Sequence, residues 1–168
     1  MNIDPFLIWL ESTALSQWVV GSPSLLAFPG ILTLHAIGMG FAVGICLALD
    51  LRILGVAPGI QLAQFRRYVP ILWTAFWLNL ISGLLLLIGY PTKALTNPVF
   101  YLKLLLIGVG LVLFVRIGRR VFNEDGAPDS DVTPALRRLA VISLVCWVGA
   151  ITAGRFLAYT YSRLTALD

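Results

Sequence analysis

Apolar residues gather into four long blocks along this chain, at approximately Leu25–Leu49, Val69–Tyr90, Tyr101–Phe122 and Leu139–Tyr161. Wound as α-helices at ~1.5 Å per residue, each block reaches roughly 30 Å or slightly more, the thickness of the hydrocarbon layer of a bilayer. Ahead of them, Pro5–Val20 mixes Phe6, Leu7, Trp9, Leu10, Leu15, Trp18 and Val19 with Glu11, Ser12, Ser16 and Gln17. That pattern predicts an amphipathic helix on the outer membrane surface, ended by Gly21-Ser22-Pro23-Ser24. The stretch Asn123–Pro134, with Glu124, Asp125, Asp129 and Asp131 among Gly126, Pro128 and Pro134, predicts a mobile, solvated cytoplasmic connection. The expected fold is all-α: one integral membrane domain over residues 1–168, a bundle of four transmembrane helices with an N-terminal amphipathic interfacial helix.

Composition agrees with this class. The chain is 59% hydrophobic and 12% charged, against roughly 25% charged residues in ordinary soluble domains. The position of the charge adds an orientation. Arg52, Arg66, Arg67, Arg116, Arg119, Arg120, Arg137 and Arg138 all fall at one end of the spans, and they are eight of the twelve Lys and Arg residues. Basic loops stay cytoplasmic, so both termini are expected on the outer face, the periplasm in a bacterium, with the protein in the inner membrane. Trp9, Trp18, Tyr90, Tyr101, Tyr159 and Tyr161 form the matching outer aromatic belt. The net charge of +4 is thus a topology signal toward acidic lipid and not a nucleic-acid footprint. Asp4 and Glu11 also argue against reading the N-terminus as a secretory signal.

Polar groups inside the apolar blocks narrow the search, because each costs roughly 2.5–3.5 kcal/mol at a span centre if charged. His35, the sole histidine, falls ~15 Å into the first block, near its middle. Asn79 and Ser82 fall at similar depth in the second block. Gly108 and Gly110 do so in the third, and Gly149 and Thr152 in the fourth. This level is the expected ligand or proton site, with His35, Asn79, Ser82 and Thr152 as its polar members. An imidazole changes charge near neutral pH, which suits proton exchange, while a plain interhelical hydrogen bond is the structural alternative. Lys103 and Arg155 lie at similar outer depth and predict a cationic vestibule, shared with Glu11. Asp50 and Arg52 predict a structural clamp on the turn into the second span. Gly40 and Gly44 form a GxxxG pair suited to close helix contact, within the chain or in an oligomer.

Several chemistries are absent. No Ser/His/Asp set, paired carboxylates, phosphate-binding Gly-rich loop, HExxH or CxxC occurs, so hydrolysis and phosphoryl transfer have no machinery and the chain does not read as an enzyme. Haem b in a helical membrane bundle ordinarily takes two axial histidines, and this chain supplies one; a second subunit would have to donate the other. Copper would draw on His35, Met39 and Cys46, which share part of one helix face. Cys46 and Cys146 otherwise read as small buried hydrophobes.

The segments Glu11–Ser24, Leu34-His35-Ala36-Ile37-Gly38, Gly44 and Asp50-Leu51-Arg52-Ile53-Leu54-Gly55, with Pro29, resemble a family of small bacterial integral membrane proteins known as a domain of unknown function. Tyr90-Pro91 and Asn97-Pro98-Val99-Phe100-Tyr101-Leu102-Lys103 are similar to the same family's second outer loop and third span. The resemblance covers about Pro5–Leu113. It implies a four-span inner-membrane protein with His35, Asp50, Arg52 and Lys103 at motif positions, and it implies no activity. A remoter likeness is to copper-resistance membrane proteins of the D type. Two functional classes stay open: a transport-type component, oligomeric, handling a proton, ion or small ligand at His35, or an accessory or electron-transfer subunit of a larger membrane complex that holds quinone or haem between subunits.

Overall fold

A computed structural model describes residues 4–122 and 132–164. Every element among the described residues is helical. Two short helices come first, α1 (Asp4–Glu11) and α2 (Ala14–Gly21), followed by α3 (Phe28–Ile53). A 3₁₀ helix at Leu62–Tyr68 runs into α4 (Val69–Gly89), and then come α5 (Pro91–Leu95), α6 (Pro98–Val121) and α7 (Pro134–Leu164). Four helices are long and apolar enough to cross a membrane, as expected. Most of the predicted connection 123–134 lies outside the described residues.

The helix boundaries follow from local chemistry. Pro29, Pro70, Pro98 and Pro134 each sit in the first turn of a long helix, where a missing N–H costs nothing and the fixed φ is already helical. Leu25 and Leu26 are apolar but lie in the turn before Pro29, so α3 begins at Phe28 and not at the predicted Leu25. At its other end Gly55 adopts φ +102°, and Val56 N–H donates to Leu51 O at 3.0 Å across the cap. Only glycine takes that conformation without strain, and it closes the helix in a Schellman turn. α6 is capped by Asn97, whose side-chain oxygen accepts from Val99 N–H at 2.9 Å.

The N-terminal segment departs from expectation: it is two helices, not one. Thr13 divides them, its hydroxyl donating to Leu10 O at 2.7 Å and accepting from Ser16 N–H at 3.3 Å. A hydroxyl in that position ends one helix and caps the next. Leu7, Ser16 and Val19 are buried, and Val19 lies against Gly89 at the end of α4.

The long helices form two antiparallel hairpins, α3/α4 and α6/α7, joined where α3 packs on α7. The order across the layer is therefore α4, α3, α7, α6, and α4 makes at most marginal contact with α6. A core of Val43, Leu49, Leu72, Phe114, Ile117 and Trp147 fills the end nearer the 3₁₀ helix. The outward faces carry large apolar side chains such as Phe41, Trp77, Ile81, Leu105 and Val145. In water such a surface would be an aggregation hazard; against lipid it is the required face. The architecture is that of a multi-pass membrane protein.

Candidate functional site

His35 stands seven residues into α3, ~10 Å from its first turn. Ser82 stands seven residues before the end of α4, so the antiparallel pairing brings both to one level. Two glycines let the helices approach. A Cβ at Gly38 would sit 2.9 Å from Ala75 O and 3.0 Å from Asn79 N, and one at Gly83 would sit 3.0 Å from His35 Cε1. Real Cβ atoms do not come as close as 2.9 Å to backbone, so the contact requires glycine at 38, while at 83 a Cβ would press on the imidazole.

Within the contact, the hydrogen bonds are reciprocal. Asn79 Nδ2 donates to the His35 carbonyl oxygen at 2.7 Å. The His35 Nδ1 atom lies 3.0 Å from the Asn79 carbonyl oxygen and 3.1 Å from Ser82 Oγ. Ser82 spends its own proton on Leu78 O at 2.7 Å. A carbonyl can only accept, and the serine hydroxyl has carbonyls of its own helix to donate to, so we assign the proton to Nδ1. In the neutral ring Nε2 then carries the lone pair. Nε2 makes no hydrogen bond among the described residues, and it is not one of the enclosed polar atoms without a partner. The ring is thus fastened at one nitrogen and open at the other.

A cation approaches this ring from the far hairpin. The Lys103 ammonium on α6 is within electrostatic reach of the imidazole. It gets there over Gly154 of α7: Lys103 Cε and Nζ each lie 3.6 Å from the position a Cβ would take at that glycine. A Cβ there would make only ordinary contact, whereas a side chain larger than alanine would occupy the notch. No acidic side chain pairs with Lys103 among the described residues.

The other expected site residues fall elsewhere. Thr152 is exposed and donates to Val148 O of its own helix at 2.8 Å, so it shares the depth of the site but not its face. Gly108 is exposed and touches nothing, while Gly110 seats Trp147 and Gly149 seats Leu106. Arg155 is exposed where Lys103 turns inward, and Glu11 accepts from Thr92 Oγ1 at 2.6 Å, so the expected vestibule is reduced to Lys103. Gly40 and Gly44 are exposed with nothing within 4 Å; the close helix contact uses Gly38 and Gly83 instead. His35 also lies nearer the outer end than the predicted middle. α3 extends to Ile53, which moves its midpoint ~8 Å beyond the histidine.

Asp50 and Arg52 do not act together. Arg52 donates through Nε to Ile60 O and through Nη2 to Pro58 O, the latter at 2.9 Å, bridging the turn that follows α3. Asp50 faces α7 and lies against Ser143. No group of three His, Cys, Asp or Glu side chains comes together among the described residues. Met39 and Cys46 pack with the core, and Cys46 is eleven residues, ~16 Å, along α3 from His35. Neither copper nor haem therefore finds a ligand set within the described chain.

Sequence reasoning passed over Gly83 and Gly154, and placed Gly38 only within a motif. The one signal available was a glycine on a neighbouring span at the level of each long polar side chain. Comparison with protein-family models, curated proteins and solved structures gives no match for this chain.

Proposed function

We propose that this protein is a transport-type component of the bacterial inner membrane, with both termini periplasmic, in which His35 Nε2 takes up and releases a proton or binds a small ligand that donates to it. One observation carries the reading: Nδ1 is held against Asn79 O and Ser82 Oγ, while Nε2 has no hydrogen-bond partner among the described residues and is not enclosed. A histidine serving only to fasten helices has no need of that opening. Lys103, within electrostatic reach of the ring, supplies a donor toward the same ligand. The orientation rests on the arginines clustered at the end bearing the 3₁₀ helix. Membership of the uncharacterised four-span family is part of the same proposal, since His35, Asp50, Arg52 and Lys103 carry the resemblance.

The single histidine makes the test direct. In ¹⁵N-histidine-labelled protein in lipid nanodiscs, Nε2 is expected to resonate as an unprotonated nitrogen and to respond to pH or ligand, with Nδ1 protonated throughout. In proteoliposomes carrying an internal pH dye, His35→Gln is expected to abolish proton movement. A proton resident on Nε2 that never exchanges, or unchanged flux in His35→Gln, overturns the proposal.

A second reading has its own support. An imidazole whose Nδ1–H is held by a backbone carbonyl is the arrangement found behind metal-ligating Nε2 atoms. Haem held between two copies would use that atom from each, and a Soret band in the purified protein, lost in His35→Gln, distinguishes this electron-transfer role from the first.

A further inference from the structure

We infer that Asp50 and Ser143 form a second intramembrane site, at the α3/α7 contact, that takes up a single positive charge as a proton or a small alkali cation. Asp50 is 2% exposed and Ser143 1%, and they face each other across the contact. Asp50 Oδ2 and Ser143 Oγ are both enclosed and fall short of hydrogen-bond geometry, and the Ser143 hydroxyl is the one polar group among the described residues close enough to act on the carboxyl. An enclosed carboxylate oxygen without a donor is among the costliest groups a protein can bury.

The serine is as telling as the acid. Hydroxyls elsewhere on the long helices satisfy themselves on the carbonyl four residues back: Thr33 on Pro29, Thr74 on Pro70, Ser82 on Leu78 and Thr152 on Val148. Ser143 has the same option at Leu139 and does not take it. Its oxygen is left beside the carboxyl, where a second oxygen ligand to a cation, or an acceptor for an acid proton, is wanted.

The surroundings supply no compensating charge. On α3 the neighbouring ionisable groups are Arg52 and, one turn back, the neutral thiol of Cys46. Phe114 and Ile117 of α6 and Leu62 and Phe65 of the 3₁₀ helix are apolar core. Arg52 reaches toward Pro58 and Ile60. No ion pair to Asp50 occurs among the described residues, so the neutralising charge has to come from solution. The site is ~22 Å along α3 from His35 and does not depend on any role for that histidine.

The test uses the full chain in nanodiscs, as wild type, Asp50→Asn and Ser143→Ala. Infrared spectra at neutral pH report a protonated carboxyl through its C=O band; thermal unfolding in sodium chloride against equal choline chloride reports an alkali cation. If a proton is the occupant, the band is present, disappears in Asp50→Asn and moves in Ser143→Ala. If sodium is the occupant, the band is absent and sodium raises Tm by about 2–4 °C, an effect lost in Asp50→Asn and weakened in Ser143→Ala. Should Asp50→Asn fail to fold, Ser143→Ala decides alone. A wild type with neither the band nor a sodium-specific shift, or a Ser143→Ala variant that changes neither, overturns the inference.

Discussion

Gly38→Ala is the perturbation that most directly interrogates the His35 contact. The new Cβ would meet Ala75 O at 2.9 Å and Asn79 N at 3.0 Å, where ordinary contact begins at 3.4 Å. Both atoms are backbone, so no side chain can turn away, and α4 has to retreat by roughly 0.5 Å. That displacement stretches the Asn79 and His35 hydrogen bonds from 2.7 and 3.0 Å toward the limit of useful geometry. Overpacking costs about 1–3 kcal/mol, and two interhelical hydrogen bonds in a membrane contribute about 0.6 kcal/mol each. Against this, alanine gains up to about 1 kcal/mol of helix propensity over glycine. The net loss is about 2 kcal/mol, or roughly thirtyfold in the unfolding equilibrium.

Gly40 provides the control on the same helix. It is exposed and a Cβ there meets nothing, so Gly40→Ala keeps only the propensity gain and is expected to be neutral or slightly stabilising. Both variants are titrated from mixed micelles into denaturing detergent, with helicity followed by circular dichroism. Equal stability of the two refutes the claim that the α3/α4 contact is limited by Gly38.

Four further outcomes follow from the same structure. Gly83→Ala meets the His35 ring and not backbone, so it costs about 1 kcal/mol or less in stability, yet it releases Nδ1 and should alter the histidine ¹⁵N pattern while Gly40→Ala does not. Asn97→Ala removes both the α6 cap and the 2.7 Å bond from Nδ2 to Thr160 Oγ1 on α7; a loss of about 1–2 kcal/mol is expected in detergent unfolding. Ala57, at φ 54°, is strained in the turn that Arg52 bridges, so Ala57→Gly should stabilise by about 0.5–1 kcal/mol, whereas Arg52→Lys, lacking the planar fork, should speed amide exchange over residues 55–61.

The four spans were legible because hydropathy depends only on composition over about twenty residues, and a bilayer selects for that quantity alone. Their ends were less legible. Leu25 and Leu26 are as apolar as any span residue, and only Pro29 and Gly55 show where the backbone stops being helical. The convergence of His35, Asn79 and Ser82 could be counted from depth on adjacent antiparallel helices. Thr152 shows the limit of that count: depth gives height in the membrane but not azimuth. Azimuth requires knowing which helices are neighbours, and connection lengths do not reveal that α3 packs on α7 while α4 and α6 stay apart. The notch at Gly154 was illegible for the same reason, since an absent side chain means nothing until the partner that fills its space is known.

The order α4, α3, α7, α6 also explains where polar chemistry can reside. A helix at either edge of the layer has one long-helix neighbour, so much of its surface faces lipid. Its polar side chains must either point inward, as Asn79 does, or satisfy themselves, as Thr74 does on Pro70 O at 3.0 Å. α3 has protein on both sides, and it is the helix that carries both an imidazole and an enclosed carboxylate, one turned to α4 and the other to α7. Lys103 is the exception that fits the rule: it starts on an edge helix and reaches the interior only across a glycine. Filling that notch with Gly154→Leu should push the ammonium out toward lipid headgroups. The His35 resonances should then shift while the fold stays intact, and unchanged resonances would show that Lys103 and His35 do not share a site.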